Sequence, residues 1–174
     1  MKYFFLATLF FFSVSSFGQG LQEKYSVDCK CWKITNHYDN GQVSARYIEN
    51  KERKRDGKET AYTPDGRLQY ERTWSKGVLH GTGAHYHQNG NVYYESHYEN
   101  GQKTGTWTFM DAQGSTTQSI EYAGKGNDGV YTFYHAGHPY LQQTVEHGAM
   151  TNEKVINAEL FDAVKAESAA SGSK

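Results

Sequence analysis

Along the middle of the chain, apolar and polar residues alternate in short runs. Leu68, Tyr70 and Trp74 fall on one side of such a run, and Gln69, Glu71 and Thr73 on the other. The alternation returns with Val92, Tyr94 and Tyr98 against Glu95 and His97, and again with Ile120 and Tyr122 against Ser119 and Glu121. Strand side chains change face at every residue, so each run predicts a strand with one aromatic and one polar side. Thr63-Pro64-Asp65-Gly66 joins two runs and suits a type I turn closed by a left-handed glycine. Gln88-Asn89-Gly90 and Ala112-Gln113-Gly114 fill the same place, and Asp39-Asn40-Gly41 fills it one residue shorter. Ser75-Lys76-Gly77 and Glu99-Asn100-Gly101 form the return turns. Pairing across the turns sets Tyr62 opposite Leu68 and Thr60 opposite Tyr70, then Tyr86 opposite Val92 and Ala84 opposite Tyr94.

These hairpins are copies of one unit. Gly57, Gly81, Gly105 and Gly129 stand 24 residues apart, and Gly66, Gly90 and Gly114 form a second column. Tyr38, Tyr62, Tyr86, Met110 and Tyr134 form a third. A fixed period of this length means a supersecondary unit stacked on its neighbours. The fold expected is all-β, an antiparallel hairpin array of about five units over 34–150 in a single-layer twisted sheet. A lead-in segment occupies 19–33. Trp107, Phe109, Tyr131 and Phe133 break the pattern, because the expected pairing puts them on the polar side. From Asn152 the apolar spacing becomes helical, with Val155, Ile156, Leu160, Phe161 and Val164. A short C-terminal helix over 151–166 is therefore expected to cap the array and cover those aromatics, followed by a disordered tail over 167–174.

Composition changes this picture in one respect. Beyond the first eighteen residues, Leu, Ile, Val and Phe make up roughly an eighth of the chain, low enough to suggest disorder. Near-zero net charge and regularly placed Tyr and Trp argue instead for a domain packed on aromatic rings. The formal net charge of −1 supplies no electrostatic reason for a nucleic-acid partner, and the cluster Lys51, Arg53, Lys54 and Arg55 reads as a solvated turn. Residues 1–18 have the form of a signal peptide: Lys2, an apolar run too short to span a bilayer, and Ser16 and Gly18 before a cleavage site at Gln19. The mature chain has no other segment apolar enough to cross a membrane, so export to the periplasm or outside the cell is expected. Cys29 and Cys31 are the only cysteines. In an extended strand their Cα atoms stand about 6.5 Å apart, near the upper limit for a bridge, so a disulfide and two free thiols both remain open.

The segments Asp65–Gly81 and Asn89–Trp107 resemble the MORN-repeat variant of bacterial proteins, many of them of the YwqK-type antitoxin-like class. The likeness covers about 36–150 and is strongest in the three central units. It implies single-layer hairpin arrays used for protein–protein contact, with lipid binding proposed for some relatives, and it carries no catalytic residues. The antitoxin label sits poorly with an export leader.

Candidate chemistry is sparse. His85 and His87 share a spacing that suits two metal ligands, but the expected pairing supplies no third. Gly124 to Gly129 matches a nucleotide-binding glycine motif, yet a strand rather than a helix is expected to follow it. Glu71 and Glu95 lie about 10 Å apart at two strand spacings, wide for an acid–base pair. No catalytic, cofactor or metal residues are assigned. What remains is aromatic surface: Tyr70, Trp74, Tyr94, Tyr98, Trp107 and Tyr122 form the candidate binding face. The expected function is a non-enzymatic, exported module that contacts a protein partner. A periplasmic immunity protein and a glycan- or wall-binding module, whose stacked tyrosines receive sugar rings, are the alternatives.

Overall fold

The computed structural model describes residues 20–124 and 126–171, and the expected leader and the last three residues of the tail lie outside that range. The described chain forms β1 (Leu21–Ser26), β2 (Cys31–His37), β3 (Val43–Glu49), β4 (Gly57–Tyr62), β5 (Leu68–Ser75), β6 (Val78–Tyr86) and β7 (Val92–Glu99). It continues with β8 (Gln102–Lys103), β9 (Gly105–Met110), β10 (Thr116–Tyr122), β11 (Gly129–His135), β12 (His138–Glu146), β13 (Ala149–Val155) and α1 (Ala158–Ser171). All thirteen strands join one antiparallel sheet in chain order, with the two-residue β8 pairing on β7 beside β9. The hairpin array expected from the repeat is what the chain forms. The lead-in segment belongs to it as well, because β1 and β2 pair from Leu21↔Asn36 to Ser26↔Cys31.

Two turn chemistries account for most of the folding back. In the first, Gly66 N–H donates to Thr63 O at 2.8 Å and Thr63 N–H to Arg67 O at 2.8 Å, with Gly66 at φ +83°. Tyr38–Gln42, His87–Asn91 and Asp111–Ser115 repeat these bonds, so the Gly41 turn is full length rather than one residue shorter. In the second, two central residues take positive φ: Lys76-Gly77, Asn100-Gly101, Ala136-Gly137 and His147-Gly148. Those are tight turns whose twist matches the strands they join. Turns of the first kind are also tied to one another, as Asn40 Nδ2 donates to Pro64 O and Asn89 Nδ2 to Ala112 O. The Tyr38 hydroxyl likewise donates to Tyr62 O, which explains part of the tyrosine column.

Just beyond each turn of the first kind the pairing slips by one residue. Tyr62 faces Leu68, but Ala61 faces Tyr70, leaving Gln69 as an extra residue. Tyr93 and Thr117 are the extra residues of the next two hairpins, again 24 apart. Thr60 therefore faces Glu71, not Tyr70, and Ala84 faces Glu95, not Tyr94. A bulge adds one residue to one strand, and a one-residue slip moves every side chain beyond it to the other face. This removes the exception: Trp107 faces Ile120, Phe109 faces Gln118, and Tyr131 and Phe133 face the same two residues from β11. All four aromatics lie on the aromatic side.

The covering helix does not exist in the form expected. Residues 149–155 make strand β13, because the His147-Gly148 turn sends the chain back along β12. The helix begins at Ala158, with Leu160 N–H donating to the Asn157 side chain at 3.0 Å, and it runs on to Ser171 through the segment expected to be disordered. Ala163, Lys165, Ala166, Ala169 and Ala170 are strong helix formers. The helix rests mainly on β12, its Phe161 ring 6.4 Å from Tyr140, with Glu167 4.0 Å from His135 at the end of β11, and it buries none of its residues. The array's core is the aromatic side itself, where Ile34, Ala61, Trp107 and Ile120 are buried together with Glu59 and Ser96.

Cys29 and Cys31 are joined by a disulfide with Cα atoms 5.2 Å apart. Lys30 between them takes φ +50°, so the pair sits in a turn and not in the extended geometry that made the span marginal.

A candidate binding face on the aromatic side of the sheet

Successive register pairs draw one continuous row across the sheet. It runs Ala61–Tyr70–His85–Tyr94–Phe109–Gln118–Phe133–Leu141. Within it the rings stack on one another: His85 lies 5.1 Å from Tyr70 at 23° and 4.5 Å from Tyr94 at 15°. Tyr94 also stacks on Trp107 at 5.8 Å and 8°. Trp107 is the hub of the neighbouring group, meeting Tyr98 edge-on at 5.1 Å and Tyr122 at 5.3 Å, while its Nε1 donates to His97 O at 3.1 Å. All six aromatics expected to form the face therefore lie on it. Trp107 is 5% exposed and acts as core, and the other five are half-buried. Because neighbouring rings cover one another's faces, the row offers outward mainly ring edges and hydroxyls.

Glu59 is the residue that patterning alone does not single out. It stands on the aromatic side at the register position paired with Arg72 and is 2% exposed. Its carboxylate accepts from Trp74 Nε1 at 2.6 Å and from the Tyr70 hydroxyl at 3.3 Å, and it pairs with Arg55 at 3.0 Å. Arg55 in turn lies over the rings of Tyr47 and Trp74 at 4.5 and 5.2 Å. A buried carboxylate is tolerated when its lone pairs are filled this way. The repeat itself holds the only signal for it, since Glu59 occupies the place that Trp107 takes two units later.

Arg72 is less well served. Its guanidinium lies 3.8 Å over the Tyr70 ring, and its buried Nε has no hydrogen-bond acceptor, the nearest Glu59 oxygen being 3.8 Å away. Beside it come Gly83 and Ser96, the small residues of the same register row. A Cβ on Gly83 would come within 2.9 Å of the Ser96 hydroxyl and 3.0 Å of Glu71 O, so this rung admits nothing larger. Burial and then the nearby Arg72 charge hold the His85 imidazole below its usual pKa. Burial raises the phenols of Tyr94, Tyr98 and Tyr122, which keeps them protonated donors. Lys103 lies over Trp107 at 5.3 Å and Tyr122 at 5.1 Å, with its ammonium donating to Asn127 Oδ1 at 2.8 Å.

The opposite side is polar. Lys58 pairs with Glu71 at 2.7 Å, and the Tyr86 hydroxyl donates to the same carboxylate at 3.2 Å. A shallow cavity of about 390 Å³ lies there, lined by Lys58, Glu71, Thr73, Thr82, Glu95 and His97 among others. His85 and His87 do not act together: His85 is enclosed in the ring stack, and His87 Nε2 is 2.9 Å from Met110 O. Among the described residues no cluster of three or more His, Cys, Asp or Glu side chains is placed to hold a metal. Of the glycine motif at 124–129, Lys125 lies outside the described residues; its flanking residues lead into β11, with Ala123 N–H donating to Asp128 O. Among the described residues no helix is long and apolar enough to cross a membrane.

No family model matches the sequence. Nor does any curated protein match it. Among solved structures, the chain aligns with accessory secretory proteins 1, 2 and 3 of Streptococcus pneumoniae at 13% identity and a TM-score of 0.24. That alignment covers 67% of this chain and 19% of the other, too loose an overlap to carry an argument.

Proposed function

We propose that this is an exported, non-enzymatic binding module whose aromatic sheet face contacts a partner protein. The observation that carries this reading is an open sheet with one side built of Tyr70, Trp74, Tyr94, Tyr98 and Tyr122, all half-buried, and no second layer over them among the described residues. Half-buried aromatics with polar tips, rimmed by polar residues, are what protein interfaces recruit. The likeness of the repeats to the MORN variant supports the same reading, and the leader-like first eighteen residues support export. The ring geometry favours a protein over a glycan. A sugar stacks on an exposed ring face, whereas the faces of His85 and Tyr94 are already taken by neighbouring rings.

Site-specific photo-crosslinking tests this. A benzoylphenylalanine placed at Tyr98 or Tyr122 is expected to yield a protein adduct in cells, and one at Glu95 or Thr106 on the polar side is not. Adducts from the polar side alone, or from neither side, would refute the assignment. Fractionation with N-terminal sequencing, expected to begin at Gln19, tests export separately.

A further inference from the structure

Charge is divided between the two sides of the central sheet. Across β4 to β10 the aromatic side carries Arg72 and Lys103 against the single carboxylate of Glu59, and Arg55 reaches in from the preceding loop. The polar side carries Glu71, Glu95, Glu99 and Glu121 against Lys58. The chain as a whole has a formal net charge of only −1, so this is segregation and not excess. One carboxylate does not balance three cations: the Glu59 oxygens accept from Trp74 and Tyr70 and pair with Arg55 at 3.0 Å, and only a longer ion pair of 3.8 Å reaches Arg72. Lys103 has a carbonyl and a phenol for partners and no carboxylate within 4.0 Å among the described residues. A half-buried cation without a close counter-ion is costly unless an anion completes it. Arg72 keeps 32% of its side chain exposed, and the hydroxyls of Tyr94 and Tyr98 have no hydrogen-bond partner among the described residues.

We propose that the aromatic face between β5 and β10 docks an acidic segment of a partner protein, its carboxylates received by Arg72 and Lys103 and by the hydroxyls of Tyr94 and Tyr98. This rests on the binding-face function proposed above and names its partner's chemistry. Guanidinium and phenol donors on one surface match a carboxylate, and opposite charge across an interface selects the partner and its register. The ring edges beside them receive the apolar part of the same segment.

Panning a phage-displayed random dodecapeptide library on the purified protein tests the proposal. Retained peptides are expected to be rich in Asp and Glu beside aromatic or aliphatic residues. Their affinity is expected to fall at least about tenfold on the R72Q/K103Q variant and much less on R72K, with melting curves showing that each variant folds. Retained peptides without acidic bias, or a bias unchanged on R72Q/K103Q, would overturn the acidic partner. If those same peptides lost binding in the Y94A/Y98A variant, the binding face itself would stand. Absence of any retained peptide together with absence of crosslinks from Tyr98 would overturn both. A polyuronate such as alginate that binds through Arg72 where peptides do not would make the ligand an anionic glycan and overturn the proposal.

Discussion

Glu59 holds more of this protein together than its residue type suggests. Its buried carboxylate is the common acceptor for Trp74, Tyr70 and Arg55, and Arg72 leans on it from the next strand. Glu59→Ala leaves an indole N–H, a phenol and two guanidiniums without their anion. The expected loss is about 3 kcal/mol in urea unfolding, with Glu59→Gln milder because it keeps an acceptor. His85 makes a second residue-scale prediction. Its native pKa is depressed by burial and then by Arg72, so as pH falls through the ordinary histidine range the unfolded chain takes up the proton first. Stability is therefore lost on acidification from about pH 7 towards 5. The drop in Tm between those pH values should be smaller in His85→Phe, and an unchanged drop would count against this assignment.

At the scale of the hairpin, the glycines that keep the period act for different reasons. Gly81 and Gly105 have φ of +88° and +61°, and a methyl group there would touch Thr73 or His97. Gly90 has φ +88° with open space around it, so Gly90→Ala meets only the left-handed backbone penalty, about 1 kcal/mol. Gly129 has no such φ, but a Cβ there would lie 2.4 Å from Glu121 O in the facing strand. Backbone cannot yield as a side chain does, so Gly129→Ala should cost more than Gly90→Ala and loosen the β10–β11 pairing. Thermal melts and amide exchange of β10 and β11 check the order. The bulge residues Gln69, Tyr93 and Thr117 matter at this scale too, because each turns the preceding strand by one face. That turn is what brings Trp107 in as the hub of three tyrosines.

At the scale of the whole molecule, the sheet is a ladder in which each hairpin touches its neighbours and little else, so stability should grade along it. The edge strands β1 and β13 are largely exposed, and α1 rests mainly on β12. Removing residues 158–174 should leave the sheet folded and lower Tm by only a few degrees, since α1 buries none of its residues. Collapse of the whole sheet in that truncation would show that the helix does more than rest on the end of the sheet. The separation of charge between faces also becomes consistent only at this scale, since β5 alone shows it with Arg72 and Glu71, whereas β4 carries Lys58 and Glu59 the other way round.

Much of the architecture was legible from residue order alone. The period, the turn chemistry and the strand alternation are local properties, set by glycine φ and by the two-residue repeat of side chains, so hairpins and their sequential pairing followed directly. Five of the six aromatics of the candidate face, all but Trp107, were legible for the same reason. The one-residue bulges were not, because a slip depends on which backbone bonds two strands exchange beyond the turn. Without the slips, Trp107, Phe109, Tyr131 and Phe133 fall on the polar side and require a covering helix; with them, the aromatic side needs no such cover. The buried role of Glu59 and the unbalanced charge of Arg72 were likewise decided only in three dimensions. Both depend on residues from separate strands and the intervening loop, brought together by the register.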